Sequence, residues 1–418
     1  MYGNFEVSDT SVFKQKVLNW LRPFNTFCYL DSNKYDSGYD LLVAAGVAST
    51  YTADGENALA ALQDFIHQKK RWLFGHLNYE LTTFEKISRA VQPDFIKFPQ
   101  LNFFEPQILL RLKKNELYID AEDAEGVFKS IQGSSAATTG HIESLPPVQH
   151  KMSKASYLAT LRQLQQHLQR GDCYEINFCQ EFFMDKAVID PFVVFNRLCE
   201  KSPNPFSALY RVDDKWLLCA SPERFLKKEG RQIISQPIKG TLRREGDTDA
   251  ERQRLRRSEK DRAENVMVVD LVRNDLSRIC EEGSVVVDEL FGVYSFPQVH
   301  QMISTVSGQL REEVDFKNII DATFPMGSMT GAPKVKVMQL IDRYEQSRRG
   351  IFSGALGYIN PQEDFDFNVV IRSIMYNQST QYLSFQAGGG ITIYSDPEKE
   401  WEESLLKANA IKEVLTAV

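Results

Sequence analysis

A single lysine lies in a short, stiff turn near the middle of the chain. The turn reads Pro237-Ile238-Lys239-Gly240-Thr241 and follows a mostly apolar, strand-like run. Proline fixes one backbone dihedral angle, and glycine lets a ligand approach the backbone closely. A lysine amine becomes a nucleophile when its surroundings lower its pKa. Lys239 is therefore either a catalytic nucleophile or an ordinary solvated lysine of a loop.

The last helix predicted from the sequence presents two carboxylates and one amine on a single face. It begins at Pro397 and ends near residue 415, and Glu400, Glu403 and Lys407 follow at i, i+3 and i+7. Such a face suits a hard cation together with an anionic group. It also suits an exposed ion-pair ladder, since Glu403 and Lys407 have the favourable i, i+4 spacing.

Two more acids share one face of a helix that is predicted to begin near Ser258. Asp261 and Glu264 are separated by one helical turn. Proteins bind Mg²⁺ through a few carboxylates, and water and substrate oxygens complete its shell. One carboxylate from each of two helices would suit this ion. The alternative is that these acids only stabilise the N-terminus of their helix.

Two glycine clusters have the chemistry for binding an anion through backbone N–H groups. Gly388-Gly389-Gly390 follows a predicted strand, and residues 327–331, which include Ser328, precede a predicted helix. Neither has the spacing of a nucleotide-binding loop. Plain turns are the alternative for both.

One arginine lies in an apolar context. Arg372 falls inside a strand predicted at residues 369–375. A guanidinium among aliphatic side chains requires a carboxylate or phosphate partner. That partner is either a ligand or an internal acid such as Asp366.

The composition excludes several classes of function. The chain has 418 residues and a net charge of -7, so it lacks the basic surface of a nucleic-acid-binding protein. Its six cysteines show neither Cys-x-x-Cys pairs nor zinc spacing, which is typical of reduced structural thiols. Residues 1–10 lack the apolar segment of a signal peptide, and no apolar run approaches the ~20 residues of a membrane span. We expect a cytoplasmic protein that binds neither nucleic acid nor membrane.

A change of composition at residues 132–150 predicts a boundary between two parts of the chain. Small residues followed by Pro146-Pro147 are typical of a surface linker. The linker would separate residues 1–131 from residues 151–418. Many short strands punctuated by helices favour an α+β fold.

Six segments resemble, in the same order, the motifs of the chorismate-utilising enzymes, a family that includes anthranilate, aminodeoxychorismate, isochorismate and salicylate synthases. The resemblance covers residues 150–418 and implies a chorismate-binding fold in which antiparallel sheets pack together and are flanked by helices. It implies that residues 151–418 are the catalytic domain and that residues 1–131 are a variable region contributing to the core. The segments are Ser221-Pro222-Glu223-Arg224-Phe225, Pro237-Ile238-Lys239-Gly240-Thr241, Asp261-Arg262-Ala263-Glu264-Asn265, Val269-Asp270-Leu271-Val272-Arg273-Asn274-Asp275, Gly331-Ala332-Pro333-Lys334 and Gln386-Ala387-Gly388-Gly389-Gly390.

The lysine turn is similar to that of the family branch that aminates chorismate at C4. Anthranilate synthases usually carry alanine at the position of Lys239. Isochorismate and salicylate synthases use a lysine as water-activating base on a strand that here reads Cys173-Tyr174-Glu175-Ile176-Asn177-Phe178. The resemblance implies 4-amino-4-deoxychorismate, a precursor of p-aminobenzoate and folate, as the product. The alternatives are an anthranilate-forming enzyme and a module that binds chorismate or an amino acid without catalysis.

The resemblance also implies a role for each candidate residue. Glu223 would protonate the departing C4 hydroxyl while Lys239 attacks C2, and ammonia would then add at C4 and expel the lysine. Nearby Mg²⁺ is expected to lower the pKa of Lys239, and burial is expected to raise that of Glu223. The Mg²⁺ partners would be Glu264 and Glu403, with Asp261 and Glu400 nearby or bound through water. The substrate partners would be Arg372 and Tyr358 at the enolpyruvyl carboxylate, Ser328, Gly388, Gly389, Gly390 and Lys407 at the ring carboxylate, and Gly240 and Thr241 in the lysine turn.

The chain departs from the family at one position and lacks one activity. Many relatives carry histidine where this chain has Gln301, and His300 stands one place earlier. A one-residue shift in a strand moves a side chain to the opposite face. The chain has no Gly-x-Cys-x-Gly turn of a glutaminase, so ammonia is expected from a separate glutamine amidotransferase subunit. Residues 30–32 and 204–207 only partly match the family's tryptophan site, which leaves tryptophan binding open.

Overall fold

Antiparallel β-strands make up the centre of the protein, and helices cover them. The computed structural model describes residues 2–35, 38–55, 57–81, 92–137, 145–246 and 248–416. The strands of these residues are β1 (Tyr2–Glu6), β2 (Thr26–Asp31), β3 (Leu41–Ala53), β4 (Leu73–Leu77), β5 (Leu101–Lys113), β6 (Glu116–Asp120), β7 (Gln149–His150), β8 (Glu175–Met184), β9 (Phe206–Val212), β10 (Lys215–Ser221), β11 (Arg224–Glu229), β12 (Gln232–Gln236), β13 (Ile238–Arg243), β14 (Val286–Ser295), β15 (Val299–Gln309), β16 (Gly331–Ala332), β17 (Ala355–Ile359), β18 (Phe365–Val369), β19 (Ser373–Asn377) and β20 (Tyr382–Ile391). The α-helices of the same residues are α1 (Thr10–Trp20), α2 (Ala58–His67), α3 (Ala124–Gly133), α4 (Lys154–Gln169), α5 (Pro191–Lys201), α6 (Asp249–Arg256), α7 (Glu259–Ser277), α8 (Phe316–Thr323), α9 (Lys334–Tyr344) and α10 (Pro397–Thr416).

The strands form two connected antiparallel sheets. One sheet runs β6-β5-β3-β2-β9-β10-β19-β20-β8, and the other runs β5-β4-β17-β18-β11-β12-β15. Strand β5 belongs to both because its first residues pair with β4 and its last residues pair with β6. Strands β13 and β14 both pair with β15. The predicted α+β fold with packed antiparallel sheets and flanking helices is confirmed.

Strand β8 is buried along almost its whole length. Phe178 packs into the cluster beneath α4 and α9, whereas Phe182 packs into a second cluster with residues of α5 and α10. These two side chains share one face of β8, and Cys179 on the opposite face packs into a third cluster. Apolar packing on both faces therefore holds the strand in place. Its first residue, Glu175, is therefore held in place by the core rather than by a loop.

Strands from before and after the predicted linker pair directly with one another. Strand β2 pairs with β9, and β4 pairs with β17. The N-terminal residues therefore complete sheets that the rest of the chain begins. The division at residues 132–150 stays a prediction, and part of it, residues 138–144, lies outside the described residues.

The two acidic helices begin where the sequence predicts. Ser258 caps α7 by accepting a hydrogen bond from the Asp261 N–H at 3.3 Å, and Asp396 accepts from the Glu398 N–H at the start of α10 at 2.9 Å.

Among the helices in the described ranges, none has the length and apolar character that a membrane span requires.

The prediction of one continuous strand at residues 369–375 is wrong. The chain leaves β18 at Val369, bends at residues 370–372 and enters β19 at Ser373. Arg372 lies in this bend with φ +51°, a left-handed conformation that is uncommon for a residue with a side chain. The bend lets Arg372 leave the sheet, which a regular strand position would not.

Candidate active site

The candidate residues come together around the C-terminal end of β20. Gly389 lies under the acidic face of α10, because a Cβ there would meet Glu400 Oε2 at 3.4 Å and Glu403 Oε1 at 3.5 Å. A Cβ on Gly390 would meet Glu175 Oε1 at 2.5 Å and Lys239 Nζ at 2.9 Å. The glycines thus provide the space in which charged side chains from several elements meet.

Lys239 is a largely buried residue of β13 rather than a solvated residue of a loop. Its Nζ donates a hydrogen bond to Glu175 Oε1 at 2.5 Å, and its side chain is only 10% exposed. Burial lowers the pKa of Lys239, but Glu175, and after it Glu264 and Glu223, raise that pKa above its ordinary value. The protein's own charges therefore shift the pKa in the direction opposite to the one expected, so the resting amine is a cation.

The acids of α7 and α10 face one another across a lysine. Lys260 Nζ lies 3.8 Å from Glu264 Oε1 and 4.0 Å from Glu400 Oε1. Burial raises the pKa of Glu264 to about 7, despite the opposing effect of Lys239. Burial, followed by repulsion from Glu403, raises the pKa of Glu400. Lys260 neutralises Glu264 and Glu400 only weakly, because its Nζ lies beyond hydrogen-bond distance of both carboxylates.

Glu403 and Lys407 form the ion pair that the ladder interpretation predicts, at 2.8 Å. Lys407 Nζ also donates to the carbonyl oxygen of Gly388 at 2.8 Å. Burial opposes ionisation of Glu403, but Lys407 lowers its pKa below the ordinary value. The pair is about half exposed, as the predicted ladder would be, and it also lies against the glycines at the edge of the charged cluster.

The donors fit a Mg²⁺ ion that takes few protein ligands. Within the described ranges, no three acidic, histidine or cysteine side chains are grouped closely enough to enclose a metal ion. Mg²⁺ is commonly held by one or two carboxylates, with water and substrate oxygens in the remaining positions. The buried Oε1 of Glu264 has no hydrogen-bond partner among the described residues, and Glu403 lies on the facing helix. One oxygen from each helix would suit this ion.

Gly240 and Asp261 fit together at the edge of the cluster. Gly240 has φ +97°, and a Cβ there would lie 3.0 Å from the Cβ of Asp261. Both the conformation and the space therefore require glycine at this position. Thr241 is exposed and pairs with Gln301 across β13 and β15.

Glu223 is buried in the turn between β10 and β11. It lines an open cavity together with Ser328. Burial raises the pKa of Glu223 to about 7, and Ser328, Lys239 and Arg372 partly oppose this shift. The carboxyl group is therefore protonated for part of the time at neutral pH, as a general acid requires.

Arg372 lies close enough to Glu223 to interact electrostatically. Burial lowers the pKa of Arg372 to about 10, and Glu223 opposes the shift. Asp366, the internal partner considered for it, instead accepts two hydrogen bonds from Arg224, at 2.9 Å and 3.0 Å. The bend before β19 thus directs Arg372 towards the candidate acid.

Tyr358 lies elsewhere. It lines a second open cavity with Asp31, Ser32 and Asp366. Its ring packs against Trp72 and Phe74. None of these contacts joins Tyr358 to Lys239 or to the glycines, and its expected place at the enolpyruvyl carboxylate stays a prediction. This second cavity includes segments of the partial tryptophan-site match.

Sequence reasoning missed Glu175 and Lys260. Glu175 stood in a strand noted only for its lack of lysine. Lys260 stands four residues before Glu264, a spacing that predicts an ion pair.

Of the two residues at the departure from the family, Gln301 is buried, and its Oε1 has no hydrogen-bond partner among the described residues. His300 is buried and bonds Ser295 at 2.9 Å.

A largely buried amine, a protonatable acid and a carboxylate cluster thus meet beside glycine backbone. The sequence model described as chorismate binding enzyme matches residues 25–413, so the chain belongs to that family. It is 40% identical over 296 residues to aminodeoxychorismate synthase component 1 of Salmonella typhimurium, covering 70% of this chain and 64% of that protein. It is also 40% identical over 266 residues to the protein of the same name from Escherichia coli, covering 63% and 58%. The matched region therefore spans less than two thirds of these relatives.

Solved structures agree with the fold. The menaquinone-specific isochorismate synthase of Escherichia coli superposes with a TM-score of 0.80 over 100% of this chain and 94% of that chain, at 18% identity. Anthranilate synthase component I of Streptococcus pneumoniae superposes with a TM-score of 0.75 over 98% and 92%, at 23% identity. At these identities the likeness establishes the fold alone.

Proposed function

We propose that the protein converts chorismate and ammonia to 4-amino-4-deoxychorismate through a covalent lysine adduct. The observation that carries this proposal is the buried amine of Lys239 beside the glycines and the acid Glu223. The names of the relatives at 40% identity support the same reaction. A surface lysine would give no reason to choose amination over the other reactions of the family.

The residues of the site would divide the work as follows. Arg372 and the N–H groups of the β20 glycines offer positive charge to the carboxylates of a dianionic substrate. The amine of Lys239 attacks C2, the ring double bonds shift, and the C4–O bond breaks as Glu223 gives its proton to the hydroxyl, which leaves as water. Ammonia then attacks C4, the double bonds shift back, and the lysine leaves C2 with its electron pair.

Mg²⁺ would be held by Glu264 and Glu403, with Glu400 and Asp261 nearby. Its chemistry there is to neutralise the ring carboxylate of chorismate among acids that would otherwise repel it. The missing hydrogen-bond partner of Glu264 supports this position.

A separate glutamine amidotransferase subunit would supply the ammonia. The relatives are named as component 1, which implies a partner component. Glutamine-dependent turnover by the isolated chain would contradict this part of the proposal, whereas turnover with ammonium agrees with it.

Intact-mass analysis tests the covalent route. Wild-type protein mixed with chorismate in the absence of ammonia should gain the mass of a substrate-derived adduct, and Lys239→Ala should gain none. The product formed with ammonium should become p-aminobenzoate only after a lyase is added. Fluorescent anthranilate as the product, or equal masses for both proteins, would contradict the proposal.

A further inference from the structure

Glu175 is held beside Lys239 by two close backbone approaches. A Cβ on Gly331 would lie 2.1 Å from the carbonyl oxygen of Glu175, so β16 approaches β8 as only glycine allows. Gly390 leaves the space for the carboxylate itself. Glu175 is 2% exposed. Its carboxylate therefore has little freedom to be anywhere but at the lysine amine.

The hydrogen bonds of this pair differ from those of a structural ion pair in the same protein. Glu345 uses both carboxylate oxygens, accepting from Arg349 at 2.7 Å and 2.9 Å and from the Cys179 N–H at 2.8 Å. Glu175 accepts from Lys239 through Oε1, whereas its buried Oε2 has no hydrogen-bond partner among the described residues. A carboxylate held only for stability would normally satisfy both oxygens. Glu175 instead has one partner, and that partner is the candidate nucleophile.

The other charged groups around Lys239 favour its protonated form. Glu264 of α7 and Glu223 both stabilise the cation, and Glu403 of α10 also interacts with it. A protonated amine has no lone pair for attack, so its proton must first pass to a group in contact with it. Glu223 is required as the acid, and Glu264 and Glu403 face the proposed metal position. Glu175 is the remaining carboxylate and the one at hydrogen-bond distance.

The geometry points to Glu175 as the catalytic base that takes a proton from Lys239 before attack and returns it after the amine departs; this rests on the proposed function. In the first transfer an N–H bond of the ammonium breaks and an O–H bond forms on Glu175, which leaves a neutral amine and a neutral acid. The amine then bonds to C2, and the hydroxyl leaves as water with the proton of Glu223. After ammonia displaces the lysine at the end of the cycle, the proton on Glu175 returns to the free amine. The new C4 ammonium gives a proton to Glu223, which restores every group.

The test measures the rate of adduct formation in a single turnover, by intact mass, with chorismate and no ammonia. Glu175→Gln keeps the shape and one acceptor oxygen but does not serve as a base at neutral pH. We expect adduct formation to slow by about 10²-fold or more, while the apparent affinity for chorismate changes little. Glu181→Gln is the matched control, because Glu181 is a buried glutamate of the same strand whose Oε1 accepts from Tyr382 OH at 3.0 Å. It should form the adduct at the wild-type rate.

A second variant keeps the test decisive if Glu175→Gln folds poorly. Glu175→Ala should be slow, and added formate should restore adduct formation in a saturable way by supplying the missing carboxylate; chloride should not. A Glu175→Gln protein with the wild-type rate, or a folded Glu175→Ala protein that formate does not rescue, overturns the inference. Failure of wild-type protein to form the adduct would instead contradict the proposed function itself.

Discussion

Replacing Gly390 by alanine should disable the site while leaving the sheet intact. The new Cβ would lie 2.5 Å from Glu175 Oε1 and 2.9 Å from Lys239 Nζ, well inside van der Waals contact. Both atoms are at the ends of long side chains, so side-chain rotations that move these atoms by roughly 1 Å relieve the clash. A displacement of about 1 Å at reacting atoms can cost about 10²-fold in rate. Rotations of this kind cost about 1 to 3 kcal/mol of stability.

The two preceding glycines of β20 supply the controls. A Cβ on Gly388 would lie 2.0 Å from the carbonyl oxygen of Phe178, which is backbone and has no freedom to rotate away. Gly388→Ala should therefore separate β20 from β8 and lower the free energy of unfolding by about 3 kcal/mol or more. A Cβ on Gly389 would meet side-chain atoms at 3.4 Å and beyond, so Gly389→Ala should fold normally and lose less than about tenfold in rate.

Two measurements on the same three proteins separate these outcomes. Urea unfolding gives the free energy of unfolding, and single-turnover intact-mass kinetics give the rate of adduct formation. The expected pattern is an unstable Gly388→Ala, a stable and slow Gly390→Ala, and a stable and active Gly389→Ala. A Gly390→Ala protein that forms the adduct at the wild-type rate would refute the placement of the reaction at the Glu175–Lys239 pair.

Two further predictions follow from the buried charges. Burial raises the pKa of Glu223 to about 7, so the acid form is present below that pH and is lost above it. Adduct formation should therefore fall as the pH rises through about 7. Glu223→Gln should remove this pH dependence and slow the step by about 10²-fold or more, and a pH series of adduct-formation rates checks both outcomes. Arg349→Met should lower the free energy of unfolding by about 3 to 5 kcal/mol, because it leaves the charge of Glu345 buried without its partner. Urea unfolding measures this loss, and adding Glu345→Gln should recover part of it. An Arg349→Met protein as stable as the wild type would contradict the prediction.

Local spacing was enough to predict the acidic faces of the two helices. Glu400, Glu403 and Lys407 share a face because an α-helix repeats every 3.6 residues, and α10 begins at the predicted proline. The same holds for Asp261 and Glu264 on α7. A pattern within one helix depends on no distant contact, which is why it could be read directly.

The pairing of Lys239 with Glu175 could not be predicted in this way. The two residues are far apart in sequence, on strands that do not pair with one another. Strand β20 pairs with β8, and its next-to-last residue, Gly390, leaves the space in which the two side chains meet. A lone glutamate in an apolar strand gives no signal of its partner. The strand predicted around Arg372 was wrong for a related reason. An apolar run favours a strand, and no glycine or proline marked the bend at Arg372.

Under the proposed function, the raised pKa of Glu223 would serve substrate binding as well as acid catalysis. Burial leaves Arg372 a cation at neutral pH, with its pKa near 10, and Glu223 is the acid that opposes the shift. An ionised Glu223 would compete with a substrate carboxylate for Arg372, whereas a protonated Glu223 would leave the guanidinium to the substrate. The same protonation state is therefore required to hold the enolpyruvyl carboxylate and to release the hydroxyl as water. For this reason the affinity for chorismate and the rate of adduct formation should weaken together above pH 7.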